Sequence, residues 1–81
     1  MNKDLVMQKM QEIFDNMFLD PFVLKEETSA SEIDEWDSLM QITIVVAVEQ
    51  AFKIRFKIGE VESTKNIGQF ADLILKRLND K

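Results

Sequence analysis

The stretch EWDSLMQ, residues 35–41, sets a hydroxyl directly after a carboxylate, Asp37-Ser38, and just ahead of the apolar run ITIVVAV. Ser38 can cap a helix by accepting an orphan backbone N–H. It can also be a reactive group in its own right. As a nucleophile it would need a base, and the chain has no histidine, no cysteine and no tyrosine. The usual general base at neutral pH and the commonest metal ligand are therefore both missing. Carboxylates remain, but no constellation of them supports a hydrolase, and an 81-residue chain offers little pocket. No enzyme activity, catalytic residue or metal site is expected.

Composition narrows the reading further. Eighty-one residues predict one domain over 1–81, with no room for a second core. A hydrophobic fraction of 46% is enough for one small core. A net charge of −5 disfavours nucleic acid as a partner and admits basic protein surfaces. Without cysteine there is neither a disulfide nor a thiolate. No apolar run reaches the length of a membrane span, and MNKDLVMQKMQ does not read as a signal peptide. The expectation is a cytoplasmic monomer.

Three helices must position Ser38. Over residues 3–18, Val6, Met10, Ile13, Phe14 and Met17 fall on one stripe, with Lys9, Glu12 and Asp15 elsewhere. The methionines of this segment read as core, since thioethers fill irregular gaps. Asp20-Pro21 should stop the helix. A long connection follows, and its Phe22, Val23, Leu24, Ile33 and Trp36 predict a packed loop rather than a floppy one. It carries Glu26, Glu27, Glu32, Asp34, Glu35 and Asp37 with no cation after Lys25.

Residues 38–52 fit two periods. Ile42, Ile44, Val46 and Val48 alternate like a strand, while Leu39, Ile42, Val45, Val48 and Phe52 fit a helix. Fifteen residues without a turn signal favour the helix. Ser38 and Gln41 have capping-box spacing, so Ser38 is expected as the cap. KIRFKIGEVEST then alternates Ile54, Phe56 and Ile58 with cations; a strand-like link or a helical turn near 59–63 would both fit. Asn66 should cap a last helix carrying Ile67, Phe70, Ala71, Ile74, Leu75 and Leu78 on one stripe. The predicted fold is all-α: a small irregular four-helix bundle, three main helices and one short helical turn, with a long structured loop between the first two.

WDSL at a helix start, after that loop and before EQAFKIRF, resembles the acyl carrier protein family. The resemblance runs from about Asp4 to Leu78 and includes LKEET in the loop and IGQFADLI in the last helix. It implies that Ser38 is esterified by the phosphate of 4′-phosphopantetheine, donated by coenzyme A through a phosphopantetheinyl transferase. The absence of cysteine is then no handicap, because the thiol belongs to the arm. A hydroxyl at a helix N-terminus suits a phosphodiester, since the dipole and free N–H groups favour negative charge. The resemblance makes Asp37 and Leu39 the motif neighbours. Asp37 either helps place magnesium or a partner's basic groups, or simply complements the dipole; Leu39 is expected to anchor the helix start in the core. Trp36, where the family often has glycine, matches a WDSL variety of stand-alone carriers and reads as a cover on the core.

The chain departs from fatty-acid carriers in its second helix. Where they carry several acids, this chain has Met40, Thr43, Val46 and Gln50, with Glu49 the acid there. Met40, Thr43 and Val46 are expected to form an exposed partner-recognition face, with Val45, Val48, Leu39 and Phe52 turned inward. The implied partners are an acyl-activating ligase or synthase and an acyltransferase of a specialised pathway, exchanging acyl or aminoacyl thioesters. Peptidyl carriers usually have histidine in place of Asp37, which argues against that branch. The competing reading is an unmodified acidic helical interaction module in which Ser38 is only a cap.

Overall fold

The computed structural model describes residues 2–19, 22–57 and 59–80. Asp20-Pro21, read as a helix stop, and Ile58, read as part of the alternating link, lie outside the described residues. Among the described residues there are three α-helices and no strand: α1 is Lys3–Met17, α2 is Ser38–Phe52 and α3 is Ile67–Asn79.

Each helix begins on a side chain that can take an orphan N–H. Asn2 Oδ1 accepts from Leu5 N at 2.9 Å to start α1. Asn66 Oδ1 accepts from Gln69 N at 2.9 Å to start α3. Two further N–H groups of α3, those of Ile67 and Gly68, donate to the carbonyls of Thr28 and Glu26 at 2.8 and 2.9 Å. The long loop is thus fastened to the head of α3. Gly68 permits this approach, since a Cβ there would lie 3.0 Å from Glu26 Cβ. The loop also winds one short 3-10 turn, Ala30–Glu32, while 59–63 is a run of turns held by Ser63 N on Gly59 O at 3.2 Å.

α2 ends in a left-handed residue, Lys53, at φ 57°. The next N–H, of Ile54, returns to Glu49 O at 3.1 Å, and Ile54 buries against the core, as a Schellman-type stop requires. Val6, Met10 and Phe14 of α1, Ile44, Val48 and Phe52 of α2, and Phe70 and Ile74 of α3 meet in one core. Ile13 and Met17 pack at its edge.

The 59–63 turns are held to α3 by charge. Arg77 Nη2 donates to Glu60 Oε2, and Lys57 N donates to Glu60 Oε1 at 2.7 Å. The Lys57 N–H first, and the Arg77 guanidinium after it, hold the Glu60 carboxyl below its ordinary 4.5, against the opposing effect of burial. A depressed carboxyl stabilises the fold above its unfolded pKa, and that stability is lost as pH falls through the folded one. Glu60→Gln should therefore lower the urea midpoint at pH 7, with the gap to the parent closing at acid pH below the range of an ordinary carboxyl. A gap that stays constant down to pH 3 would contradict this.

Candidate functional site

The start of α2 differs from the capping-box expectation by one residue. Asp37, not Ser38, is the cap: its Oδ1 accepts from Met40 N at 2.8 Å, and its carbonyl accepts from Gln41 N at 2.9 Å. Asp37 has the extended backbone of a cap, φ −99° and ψ −172°, and its charge adds to the capping bond at the positive end of the helix. Gln41 does not reach back to the cap. Its Oε1 instead accepts from Trp36 Nε1 at 2.6 Å. Asp37→Ala should therefore cost about 1 kcal/mol, read as a lowered urea midpoint.

Ser38 is the first residue of α2 and is exposed. Its hydroxyl has no hydrogen-bond partner among the described residues, while the residues around it are fastened. Glu35 Oε1 accepts from Leu19 N at 3.0 Å. Trp36 packs edge-on against Phe14 at 5.3 Å and Phe18 at 6.1 Å. The Leu39 carbonyl accepts from Thr43 Oγ1 at 3.0 Å.

The inward face of α2 is spaced by four: Ile44, Val48 and Phe52 are buried, and Met40, one turn earlier, packs on the core half-buried. That phase turns Leu39 outward. It is 73% exposed and does not anchor the helix start; Met40 takes that place and is not a fully outward residue. Thr43 is exposed, Val46 is 46% exposed, and Ile42 is 62% exposed. Val45 lies between the two faces, half-buried. Leu39, Ile42, Thr43 and Val46 thus form one outward strip leading away from Ser38. Ile42 and Val46 also wall an apolar crevice of about 290 Å³, closed on the other side by Phe56 and Val61.

Asp37, Asp34 and Glu32 are exposed near the head of α2, giving it an acidic approach. Among the described residues no group of acids is arranged to hold a metal ion, and no helix is long and apolar enough to cross a membrane. The Trp36–Gln41 bond and the cluster of Phe14, Phe18, Phe22 and Trp36 went unread in the sequence. Both join residues whose meeting depends on how the loop crosses α1, and local spacing carries no sign of it.

Comparison with known proteins bears on this arrangement. A family model described as the phosphopantetheine attachment site matches residues 26–74, a span that includes Asp37, Ser38 and Leu39. A solution NMR structure of a holo acyl carrier protein from Geobacter metallireducens is similar at a TM-score of 0.75 and 40% sequence identity, covering 96% of this chain and 86% of that one. Among curated proteins nothing matches.

Proposed function

The chain belongs to the phosphopantetheine-attachment family of acyl carrier proteins, and on that premise we propose that Ser38 is the residue that holds the arm. The protein is a carrier rather than a catalyst, and its prosthetic group is a covalent 4′-phosphopantetheine. When bound, that group supplies a flexible tether ending in a thiol, on which acyl groups travel as thioesters. The acidic-adaptor reading gives way to this one.

One observation carries the assignment: the Ser38 hydroxyl is exposed and unheld at the head of α2, between residues that are each tied down. The residues fit a phosphodiester there. The N–H groups of Ser38 and Leu39 have no partner within the helix, and the dipole favours negative charge at that end. Asp37 keeps the head of α2 wound and so keeps the hydroxyl outward. Incubation with coenzyme A, magnesium and a broad-specificity transferase, followed by peptide mapping, should place the added mass on the peptide containing Ser38. Addition elsewhere, or none, overturns the assignment.

The 81 residues act as one monomeric carrier domain in the cytoplasm. Its partners are the transferase, an acyl-activating ligase or synthase, and an acyltransferase of a specialised pathway. The outward strip of α2 supports that choice. A face of Leu39, Ile42, Thr43 and Val46 calls for an apolar surface on the partner, with basic groups opposite Glu32, Asp34 and Asp37. Ile42→Glu and Val46→Glu should each weaken binding to the cognate ligase by about 1–3 kcal/mol, measured by calorimetry. Both should stay folded by circular dichroism, because both side chains already meet solvent. Met40→Glu, by contrast, should destabilise the fold. Normal binding by both outward variants, with loss on neutralising Glu32 and Asp34, would make the recognition electrostatic and sink this choice.

A further inference from the structure

The head of α2 is braced by a bond that spans the attachment serine. Trp36 lies two residues before Ser38 and Gln41 three after it, and Trp36 Nε1 donates to Gln41 Oε1 at 2.6 Å. The indole is itself held from behind, edge-on to Phe14 and Phe18 of the α1 end. Phe14 is 1% exposed and Phe18 5%, so this backing belongs to the rigid core. The bond therefore connects the core, through the indole, to the first turn of α2. Inside the bracket, Asp37 Oδ1 holds Met40 N and the Asp37 carbonyl holds Gln41 N. The Ser38 hydroxyl is left with no side-chain tie of its own.

We propose that Trp36 and Gln41 are positioning residues for the modification of Ser38: their hydrogen bond fixes the direction in which the hydroxyl leaves the helix. The inference rests on the assignment of Ser38 as the attachment residue. In the transfer, Ser38 Oγ forms a bond to the phosphorus next to pantetheine in coenzyme A. The bond from that phosphorus to the oxygen bridging the two phosphates breaks, adenosine 3′,5′-bisphosphate leaves, and the hydroxyl proton passes to a base of the transferase. Such a displacement needs the oxygen in line with the breaking bond, and small misplacements of a reacting atom cost large factors in rate. Ser38 has freedom only through its own side-chain torsion if Trp36, Asp37 and Gln41 stay put. Loosening the bracket adds backbone freedom at the reacting residue without removing any surface that a transferase would touch through Leu39, Ile42 or Val46.

The test uses the full chain, coenzyme A, magnesium and a broad-specificity transferase, with four variants. Trp36→Phe keeps an aromatic ring and removes the donor. Gln41→Met keeps length and removes the acceptor. Gln41→Glu keeps an acceptor oxygen. The double variant Trp36→Phe, Gln41→Met removes both partners. Trp36→Phe and Gln41→Met should each lower kcat about 10-fold with KM for the carrier within about twofold. The double variant should be no slower than the slower single one, because one bond is lost in all three. Gln41→Glu should react like the parent. Trp36 is the chain's single tryptophan, so its indole N–H resonance can be followed alone. Its exchange with solvent should quicken in Gln41→Met and not in Gln41→Glu, with circular dichroism unchanged in every variant. Parental kcat in the two singles, additive losses in the double, or a change confined to KM would each overturn the positioning role. If the parent chain gains no mass on Ser38, the attachment reading itself fails and takes this inference with it.

Discussion

Ser38→Ala should gain no phosphopantetheine mass under conditions that convert the parent completely, and it should keep the parent's stability within about 0.5 kcal/mol. The first half follows from the proposed attachment: removing Oγ removes the atom that would be esterified, and among the described residues no other hydroxyl stands unbonded at a helix start. Thr43 is exposed nearby, but its Oγ1 is engaged by the Leu39 carbonyl at 3.0 Å. The second half follows from Asp37 being the cap. Had Ser38 capped α2, its loss would cost about 1 kcal/mol, and a failure of modification could be blamed on a damaged helix start. With the cap on Asp37 the two effects separate. Intact mass and a urea titration on the same samples check both. Mass gain by the Ala variant would remove Ser38 as the attachment residue, and a loss of stability near 1 kcal/mol would put the cap back on Ser38.

Phe14→Ala should cost about 3–5 kcal/mol, the largest effect expected of any truncation to alanine in α1. Phe14 is 1% exposed. Its ring stacks on Phe18 at 5.4 Å and meets Phe22 and Trp36 edge-on at 6.3 and 5.3 Å. Truncation leaves a cavity where α1, the loop and the support of Trp36 converge. A small domain holds only about 5–15 kcal/mol in all, so a large part of this chain's reserve would go. The loop ahead of Ser38 should loosen with it, seen as faster solvent exchange of the Trp36 indole N–H even in molecules that remain folded. Phe14→Leu, which refills much of the volume, should recover most of the loss. A cost below about 1 kcal/mol for Phe14→Ala would show that the aromatic cluster does not bear on the core.

Much of this protein was legible residue by residue. Asn2 was not foreseen as a cap, but the stripe of Val6, Met10 and Phe14 marked the buried side of α1, and Asn66 with Ile67, Phe70 and Ile74 marked α3 from its cap onward. Both helices are apolar on one side and polar on the other, so the period of the pattern also gives its phase. Ser38 stood out because Asp-Ser-Leu falls at a helix start where the chain resembles acyl carrier proteins.

The orientation of α2 is another matter. It is apolar nearly all round, so several stripes were equally good readings, and the sequence pattern could not say which one met the core. Packing into the shared core chose the spacing of Ile44, Val48 and Phe52. That choice turned Leu39 and Ile42 outward and drew Met40 in. The cap shifted from Ser38 to Asp37 for a related reason. Either side chain can accept the N–H, and the one that does is set by where the loop's extended backbone ends. Trp36 could find Gln41 only after the loop had been laid across Phe14 and Phe18. The sequence by itself marked the helices and set Asp-Ser-Leu at the head of the second, because those depend on local pattern and side-chain chemistry; the resemblance to acyl carrier proteins gave that serine its expected role. Only the tertiary structure decided which face of α2 lies outward and what fastens the residues around Ser38, because a helix without a polar side takes its rotation from its neighbours.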